Sequence, residues 1–272
     1  MLSASQLRRL YPAAHPDHLA AFAAEAAALF RLSRLDAARQ RCHFFLAQLG
    51  HESCGLQVRE EALSYSAARL MQVWPGRFPT PEAAEPFARA PEKLAEAVYG
   101  GRMGNDRPGD GFRYRGRGYI QLTGRDAYRQ VGQIARLPLE EQPDLANHPA
   151  HALAAACAFW RWKRLNPLCD QGDFPAVTRR INGGLVGLQD RFAWLERAQR
   201  CIPWEENGPL ALTVKDLKAV QTALRARGLY DGSIDGIIGR RSLAAIATLR
   251  AEEDLPDGSG VDLPVMEALG LR

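Results

Sequence analysis

The sequence predicts a mainly helical protein in which one large domain precedes a small three-helix domain. Apolar residues recur at helical spacing along most of the chain, whereas the alternation typical of strands is scarce. The length of 272 residues exceeds that of most single domains. The composition shifts at 201–209, CIPWEENGP, which contains two prolines, a glycine and two acids. We therefore expect a first domain over 1–202, a linker over 203–212 and a second domain over 213–272.

The first domain is predicted to consist of helices joined by loops rich in glycine and proline. Pro16 and Asp17 are typical of a helix start, and the alanine-rich segment behind them has an amphipathic pattern. A long loop is expected at 100–124, where glycines are frequent. The predicted helices cover about residues 17–31, 35–53, 66–73, 81–89, 92–99, 125–134, 149–164, 174–182 and 187–201.

The second domain is predicted to contain three short helices around a turn-rich segment. The first helix carries Leu217, Val220 and Leu224 on one apolar side. The segment GLYDGSIDGIIG then separates it from the second helix. Some 60 residues in three short helices form a minimal folding unit. The three helices are expected at about 214–227, 240–252 and 262–269.

The turn-rich segment also allows a calcium interpretation, because Asp231, Ser233 and Asp235 alternate. Position 12 of such a loop is Ser242 rather than an acid that could bind calcium through both oxygens. Asp-Gly turns explain the same residues more simply. The six histidines are scattered without metal-ligand spacing, so neither a metal nor an organic cofactor is expected.

The composition is that of an ordinary globular protein, 46% hydrophobic and 24% charged. No segment approaches the ~20 consecutive apolar residues that span a membrane, and the N-terminal segment lacks the pattern of a secretory signal. Five cysteines, an odd number without CxxC spacing, favour buried reduced thiols over a zinc site or a catalytic cysteine. We expect synthesis in the cytoplasm without a signal peptide and no insertion into membranes.

The charge is unevenly distributed along the chain. The first 209 residues contain 27 basic and 22 acidic residues, whereas the last 63 contain eight and nine. A net charge of +5 on the first part suits an anionic polymer as partner. Nucleic acid and a glycan that bears carboxylates both meet this condition, and the charge alone does not choose between them.

Glu52 is the first candidate for catalysis. It shares a helix face with Phe45 and Leu49 at spacings of four and seven residues, and that face is otherwise apolar. A carboxyl at the end of such a face is desolvated and holds its proton more readily, as a general acid requires. Gln48 borders the face and could hydrogen-bond the carboxyl, while Gly50 permits close backbone approach. The alternative is a helix-end glutamate that simply reaches solvent.

Glu61 is the second candidate and lies nine residues further on, beyond the expected helix end. It precedes a polar, partly aromatic run typical of a cleft edge. A carboxylate on a loop in water stays ionised and can deprotonate a water molecule. Two carboxyls in opposite environments are what inverting glycoside hydrolysis requires. Glu60 is a rival for the base, and the pattern does not separate the two.

The segment GDGFRYRGRGYIQLTG, residues 109–124, combines glycines with basic and aromatic residues. Such a run can bring Gln121 and Thr123 to a ligand rich in hydroxyl groups, while Tyr114 and Tyr119 offer flat faces to sugar rings. A GRG run can also contact nucleic acid, but the rest of the domain lacks a concentrated basic stripe. The strand-before and helix-after context of a dinucleotide-binding loop is also missing. We therefore expect no nucleic-acid partner.

Five segments together resemble the family 19 glycoside hydrolases, the chitinase-like group that includes many phage endolysins. They occur in the order found in that family and cover roughly residues 40–195. Each is modest alone, and the ordered set is specific. The segments are GHES (50–53), EALSYSA (61–67), VYGGRMGN (98–105), GDGFRYRGRGYIQLTG (109–124) and RRINGG (179–184), followed by Arg191.

The resemblance implies a lysozyme-like, two-lobed helical domain over 1–202, with the active site in a cleft between the lobes. By position, Glu52 is similar to the general acid of the family and Glu61 to the base of its short-spaced lysozyme-type members. Thr123 resembles the hydroxyl that helps to hold the attacking water.

The resemblance also implies substrate-binding roles. Gln121 and Asn182 match sugar-binding positions, and Arg191 matches the arginine of the charge network around the carboxyls. One departure is Ala127, where members usually have an asparagine; we expect a changed subsite preference rather than an inactive enzyme. The remaining expected cleft residues are Tyr65, Tyr114 and His51.

The C-terminal segment resembles the three-helix peptidoglycan-binding module. The resemblance rests on LKAVQTALRARGLYDGSIDGIIGRRS (217–242) and LPDGSGVD (255–262). The phenylalanine-glutamine pair that usually ends the second helix is replaced by Leu249 and Arg250, and the usual threonine is Ser242. The alternative is a helical unit for oligomerisation or docking.

These observations predict a peptidoglycan hydrolase, a muramidase that cuts the β-1,4 bond between N-acetylmuramic acid and N-acetylglucosamine by an inverting mechanism with two glutamates. A chitinase is the alternative within the enzymes, and a non-catalytic wall-binding protein is the alternative outside them. The expected partner is bacterial peptidoglycan, and the chain is expected to be a monomer. A phage or prophage endolysin, released through a holin to act on the wall from the periplasm, is the favoured setting, ahead of an effector injected into rival bacteria.

Overall fold

The computed structural model describes residues 2–57, 60–203, 212–255 and 260–271. The chain forms two compact units, Met1–Ile202 and Pro203–Arg272. Fifteen α-helices and two 3₁₀ helices make up the regular structure of the described residues, which contain isolated β-bridges but no strand. The prediction of a mainly helical protein with a small three-helix domain is confirmed.

Twelve α-helices of the described chain build the first unit. The nine predicted helices are present within a few residues of their expected bounds, except that the one at 81–89 is divided into α5 and a 3₁₀ helix, Glu85–Phe87. A second 3₁₀ helix covers Pro143–Asn147. The α-helices are α1 (Ala4–Leu10), α2 (Pro16–Ser33), α3 (Arg39–Glu52), α4 (Ala67–Val73), α5 (Pro81–Ala84), α6 (Pro91–Tyr99), α7 (Asp110–Arg113), α8 (Arg125–Ala135), α9 (Pro149–Trp162), α10 (Asn166–Asp170), α11 (Phe174–Asn182) and α12 (Leu188–Cys201).

Helix α3 lies at the centre of the larger core. Nine consecutive residues, 42–50, are buried, so all sides of this part of the helix contact protein. Phe45 packs edge-on against Trp160 of α9, with ring centroids 5.2 Å apart. Helix α12 packs along α3, and a Cβ atom at Gly50 would lie 2.5 Å from the ring of Trp194. The close backbone approach expected at Gly50 is therefore confirmed.

A separate, smaller core lies between α4, α5 and α6. Its centre consists of Leu70, Phe78, Leu94 and Val98, which are all buried. Pro91 begins α6 at a position where its missing N–H costs no hydrogen bond. The first unit thus has two hydrophobic cores, and the segment that contains Glu61 leads from α3 into the smaller one.

The glycine-rich segment between the two cores is mostly irregular, as predicted, and contains only the short helix α7. Arg117 forms isolated antiparallel bridges with Glu60 and with Leu122, which places three stretches of chain side by side. Arg125, the first residue of α8, binds Asp110 of α7 at 3.1 Å and Glu140 at 2.9 Å through its guanidinium. These ion pairs join α7 to α8.

Three α-helices of the first unit, α1, α7 and α10, escaped prediction because they are short. Helix α1 begins with a capping box, in which the Ser3 side chain accepts from the Gln6 N–H and the Gln6 side chain accepts from the Ser3 N–H. This Ser-x-x-Gln pattern is readable in the sequence and would have revealed the helix. Helix α10 is only five residues long, and its Asn166 accepts a 2.8 Å hydrogen bond from the indole N–H of Trp160.

The second unit contains the three expected helices, α13 (Val214–Ala226), α14 (Arg240–Glu252) and α15 (Leu263–Ala268). Val220 and Leu224 of α13 pack with residues of the other two helices. The buried residues of this core are Val220, Leu224, Tyr230, Ala245, Ile246, Leu249, Val265 and Met266.

The turn between α13 and α14 is held by the buried side chain of Gln221. Its amide donates to Asp235 Oδ1 at 2.9 Å and to the Ile237 carbonyl at 3.1 Å, and its oxygen accepts from the Gly236 N–H at 2.7 Å. Asp235 therefore serves the turn, in agreement with the Asp-Gly interpretation. Most of the predicted linker, and half of the segment at 255–262, lie outside the described residues. No helix in the described ranges combines the length and apolar character of a membrane span.

Candidate active site

Glu52 is the last residue of α3 and faces a buried arginine. Nη2 of Arg191, on α12, lies 2.7 Å from Oε1 of Glu52, and the Arg191 side chain is only 1% exposed. The Nη1 atom of Arg191 donates to Gln48 Oε1. The Gln48 amide donates in turn to Thr178 Oγ1 on α11 at 3.0 Å. A network of four polar side chains therefore joins three helices below the carboxyl.

This arrangement corrects the expected environment of Glu52. The apolar face exists, since Phe45 and Leu49 are fully buried. The carboxyl at its end nevertheless contacts a guanidinium rather than hydrocarbon alone, and Gln48 binds Arg191 and Thr178 instead of the carboxyl. The periodicity of α3 could not show this, because the arginine belongs to a helix 139 positions further along the chain.

Glu61 is held by neutral donors. The hydroxyl of Tyr99, the last residue of α6, lies 2.9 Å from Oε1 and 3.1 Å from Oε2 of Glu61. The Gly116 N–H donates to Oε2 at 3.3 Å, and the Glu61 N–H donates to the Gly116 carbonyl at 2.9 Å. Burial has the largest influence on the pKa of Glu61 and raises it, whereas the two hydrogen bonds act in the opposite direction.

The expectation that Glu61 stands in water is therefore wrong. The segment that carries it forms a β-bridge with the glycine-rich segment, so the side chain lies half-buried against Tyr99 and Gly116. A base whose pKa is raised by burial is a stronger base once ionised, and its hydrogen bonds favour the ionised form. The environment thus still suits proton abstraction, although for a different reason than the sequence suggested.

The structure also separates Glu61 from its rival Glu60. Successive residues of an extended segment point in opposite directions. Glu60 forms an ion pair with Arg115, lies 3.8 Å from Nε of Arg117, and accepts a 3.3 Å hydrogen bond from the Asn147 amide. Its carboxylate is thus committed to a surface ion-pair network on the side away from Tyr99.

Gln121 and Thr123 lie next to Glu61 because Gly116 leaves room for them. A Cβ atom at Gly116 would lie 2.7 Å from Gln121 Oε1, 3.4 Å from Thr123 Oγ1 and 3.5 Å from Glu61 Cβ. The Thr123 hydroxyl donates to the Gln121 carbonyl at 2.9 Å, and the Gln121 amide donates to the Gly118 carbonyl at 3.3 Å. Three predicted site residues, Glu61, Gln121 and Thr123, are therefore brought together around one glycine.

Comparison with known proteins shows the family of the chain. No protein-family model matches the sequence. A protein of Haemophilus influenzae described as containing a glycosyl hydrolase family 19 domain is 40% identical over 149 residues, which is 54% of this chain and 72% of that protein. The chain belongs to glycoside hydrolase family 19. It is therefore a glycoside hydrolase of the chitinase-like group.

Plant and bacterial chitinases share parts of the sequence or the fold of this family 19 hydrolase. An Arabidopsis thaliana endochitinase is 46% identical over 76 residues, 27% of this chain and 26% of the plant protein. Chitinase C from Streptomyces griseus superposes with a TM-score of 0.50 at 18% identity, over 73% of this chain and 91% of that chain. A class IV chitinase from Zea mays gives 0.50 at 15% identity, over 75% and 94%. At these identities the two structures show a shared helical fold.

Among the aromatic residues expected in the cleft of this family 19 hydrolase, Tyr65 lies close to Glu61. Tyr65 is half-buried, and its ring packs edge-on against Trp74 with centroids 5.5 Å apart. Burial raises the pKa of its hydroxyl, and the negative charge of Glu61 adds to this effect. Tyr65 therefore remains a candidate for substrate contact.

The expectation that Tyr114 and Tyr119 present their faces to sugar rings is wrong. Tyr114 is 2% exposed and Tyr119 is 1% exposed. The Tyr114 hydroxyl donates to the Glu140 carbonyl at 3.0 Å, and the Tyr119 hydroxyl lies 2.7 Å from Nδ1 of His18. Both rings belong to the core of the family 19 unit, because the turns of the glycine-rich segment direct them inward.

His51 and Asn182 lie beside the Glu52 network. Nδ1 of His51 is 2.6 Å from Oδ2 of Asp190, so this pair links α3 to α12 next to the pair of Glu52 with Arg191. Asn182 ends α11 and is exposed, one helical turn beyond Thr178. Ala127 is buried in the first turn of α8.

Two polar residues of the site were not assigned from the sequence. Tyr99 was noticed only as part of the segment VYGGRMGN, and Thr178 was not noticed at all. Neither carries a local signal, because each acts through a partner 38 or 130 positions away. Contacts of this kind become visible only when the helices are placed in space.

Proposed function

We propose that this family 19 hydrolase cleaves bacterial peptidoglycan at the β-1,4 bond between N-acetylmuramic acid and N-acetylglucosamine. The observation that carries the proposal is the separate C-terminal unit, whose sequence is similar to peptidoglycan-binding modules and whose helices α13 to α15 enclose a core of their own. A module that holds an enzyme on an insoluble polymer raises the effective concentration of substrate at the active site.

The charge distribution supports the same substrate class. The first 209 residues have a net charge of +5, whereas the last 63 have a net charge of −1. Peptidoglycan carries carboxylates on its stem peptides and on muramic acid, and a mildly basic catalytic unit is attracted to such a polymer. Chitin, a neutral polymer of N-acetylglucosamine, would gain little from this charge.

In the proposed mechanism, the Glu61 carboxylate takes a proton from a water molecule whose oxygen attacks the anomeric carbon. Glu52 donates its proton to the glycosidic oxygen as the bond to the leaving sugar breaks. Attack from the opposite face inverts the anomeric configuration. Arg191 engages Oε1 of Glu52, so we assign the transferred proton to Oε2. Thr123 and Gln121, which share the space beside Gly116 with Glu61, are assigned to the water and to a sugar.

The sugar subsites beyond this centre are assigned in part. Asn182 and Tyr65 are proposed as sugar contacts, Asn182 because it is exposed beside the Glu52 network and Tyr65 because it lies near Glu61. Ala127 is buried in the first turn of α8, where most members of the family are expected to have an asparagine. Its side chain offers no hydrogen bond, and we therefore expect a different preference at the subsite next to the water.

A chitinase is the second candidate function. It is favoured by the Arabidopsis endochitinase that is 46% identical over 76 residues. The two substrates differ in the lactyl group and stem peptide of muramic acid, which peptidoglycan carries and chitin lacks. For a peptidoglycan hydrolase, we further propose action as a monomeric phage or prophage endolysin that reaches the wall through a holin. Delivery as an effector into rival bacteria is the alternative.

Mass spectrometry of reaction products tests the proposal. The intact chain is incubated with purified peptidoglycan and, in parallel, with colloidal chitin; the controls are Glu52→Gln and Glu253→Gln, a surface carboxyl of the second unit. We expect muropeptides with a free reducing muramic acid end from the intact chain and from Glu253→Gln. Glu52→Gln should reduce their formation by roughly 10²–10⁴-fold, as the loss of a general acid implies.

The other outcomes each contradict part of the proposal. Oligomers released from chitin without products from peptidoglycan would establish the chitinase instead. Anhydro-muramic ends would show a non-hydrolytic lytic transglycosylase and would refute the two-carboxylate mechanism. Unchanged behaviour of Glu52→Gln together with binding to the wall would support a non-catalytic wall-binding protein.

A further inference from the structure

The end of α6 lies directly against the carboxylate of Glu61. The helix is fixed by its apolar side, since Leu94 and Val98 are buried in the smaller core. Tyr99 follows at the last helical position, and its hydroxyl lies within hydrogen-bond distance of both oxygens of Glu61, at 2.9 and 3.1 Å. A hydroxyl that lies between two carboxylate oxygens resists rotation of the carboxylate in either direction.

Among the described groups that face Glu61, Tyr99 alone contacts both carboxylate oxygens. The Gly116 N–H, from the glycine-rich segment, reaches Oε2 alone at 3.3 Å. Tyr65 adds a half-buried phenol on the side of α4. In the described part of the chain Glu61 takes part in no ion pair, because the neighbouring Arg115 and Arg117 pair with other carboxylates. The carboxylate is thus oriented by neutral donors, of which Tyr99 makes two contacts.

We propose that Tyr99 is a positioning residue for the general base, which keeps both oxygens of Glu61 in register with the water site beside Thr123. This role of Tyr99 rests on the proposed function, in which Glu61 is the base. Tyr99 itself contacts neither the water nor the sugar in this scheme and acts through Glu61.

A buried asparagine links Tyr99 to the segment on the other side of the water site. Asn105 is 1% exposed. Its amide donates to the Tyr99 carbonyl at 3.0 Å, and its oxygen accepts from the Arg125 N–H at 2.9 Å. Arg125 follows Thr123 by two positions. The backbone that carries the Tyr99 phenol is therefore joined, through one side chain, to the segment that carries Thr123.

The charge states suit this role. Burial raises the pKa of Tyr99, and the negative charge of Glu61 raises it further, so the phenol keeps its proton throughout the working pH range. The hydrogen bond from Tyr99 lowers the pKa of Glu61 and opposes the larger effect of burial. Removal of the hydroxyl should therefore raise the pKa of Glu61 and move the loss of activity in acid to higher pH.

The test is the pH dependence of kcat and KM for full-length Tyr99→Phe on peptidoglycan. We expect kcat at neutral pH to fall roughly 5- to 50-fold, as for loss of one oriented hydrogen bond to a charged group. KM should change by less than about threefold, since no substrate contact is lost. The acid limb of the profile should move up by about half to one pH unit, in keeping with one hydrogen bond to the carboxylate.

Two further proteins separate positioning from structural support. Tyr11→Phe also removes a buried hydroxyl, one that donates to the Leu46 carbonyl at 2.6 Å, and should lower thermal stability without moving the acid limb. Replacement of Tyr99 by 3,5-difluorotyrosine keeps the ring and strengthens the donor, so the acid limb should move to lower pH. This second replacement keeps the proposal testable even if the phenylalanine variant does not fold.

The inference is overturned if Tyr99→Phe loses only thermal stability, or if neither replacement moves the acid limb. Glu61→Gln distinguishes this failure from failure of the proposed function. If Glu61→Gln remains active, Glu61 is not the base, and the proposed function fails independently of Tyr99. If Glu61→Gln is inactive but the pH profile of Tyr99→Phe is unaltered, Glu61 remains the proposed base and only the positioning role of Tyr99 is refuted.

Discussion

The two carboxyls of the site are held in opposite ways. Glu52 ends a helix whose residues 42–50 are buried, and a buried guanidinium from another helix pairs with one of its oxygens at 2.7 Å. Glu61 lies on a short bridged segment and is held by a phenol and a backbone amide, both neutral. The neutral donors hydrogen-bond the carboxylate of Glu61 and favour the ionised form that a base requires. The two carboxyls thus differ in the charge of their partners, which is positive for Glu52 and neutral for Glu61.

The largest expected effect is the difference in kcat between variants of Glu61 and of its neighbour Glu60. Glu61→Gln removes the proposed base and should lower kcat by roughly 10²–10⁴-fold, because an amide cannot accept a proton from water. Glu60→Gln makes the same chemical change one position earlier, where the carboxylate pairs with Arg115, and should leave kcat within about threefold, since exposed ion pairs contribute little. Steady-state rates on peptidoglycan measure both variants.

Equal losses in the two variants would show that the bridged segment as a whole, rather than the Glu61 carboxylate, supports activity. Near-normal activity of Glu61→Gln together with an inactive Glu60→Gln would transfer the role of base to the rival. Circular dichroism of each variant verifies that the helices remain.

Removal of the charged partner of Glu52 should chiefly affect stability. Arg191→Met leaves the Glu52 carboxylate without its ion-pair partner and the Gln48 amide oxygen without its donor. It should lower the free energy of unfolding by about 3 kcal/mol, the lower part of the range for breaking a buried pair. Arg41→Met breaks the more exposed pair with Asp170, whose side chain is 41% exposed, and should cost less than about 1 kcal/mol. Urea unfolding measures both. A loss for Arg191→Met no greater than that for Arg41→Met would contradict the structural importance of the network.

The smallest effect concerns the space shared by Glu61, Gln121 and Thr123. In Gly116→Ala the new methyl group would lie 2.7 Å from Gln121 Oε1, so the mobile amide must move away. We expect an increase in KM of roughly three- to tenfold, comparable to the loss of one sugar hydrogen bond, with little change in stability. Gly76→Ala adds a methyl group with no atom within 4 Å and is the matched control. An unchanged KM in Gly116→Ala would show that Gln121 does not contribute to substrate binding.

Local patterns were sufficient to predict the helical architecture. The 3.6-residue periodicity located nine helices of the first unit and three of the second, because each buries an apolar side. Short helices such as α10 present too few residues for a periodicity. The capping box at Ser3 shows that α1 could still have been found by its start signal.

The ordered segments also indicated the candidate site residues, but the environments of these residues depend on distant parts of the chain. The periodicity of α3 placed Glu52 against hydrocarbon, whereas its carboxyl contacts Arg191 of α12, which only the family resemblance had placed near the carboxyls. Glu61 was expected in water and is half-buried, because the glycine-rich segment forms a bridge beside it. Tyr114 was expected at the cleft and is buried, since its hydroxyl reaches the Glu140 carbonyl. In each case the deciding contact is long-range, and no periodicity within one segment reports it.

The most direct test of the account is the titration of the Glu61 carboxyl itself. Glutamate labelled with ¹³C at Cδ gives one NMR signal for each carboxyl, and Glu61→Gln identifies the signal of interest. Because burial raises the pKa of Glu61, its midpoint should lie above the ordinary glutamate value of about 4.3. A midpoint at or below that value would contradict a half-buried base that is held by neutral donors.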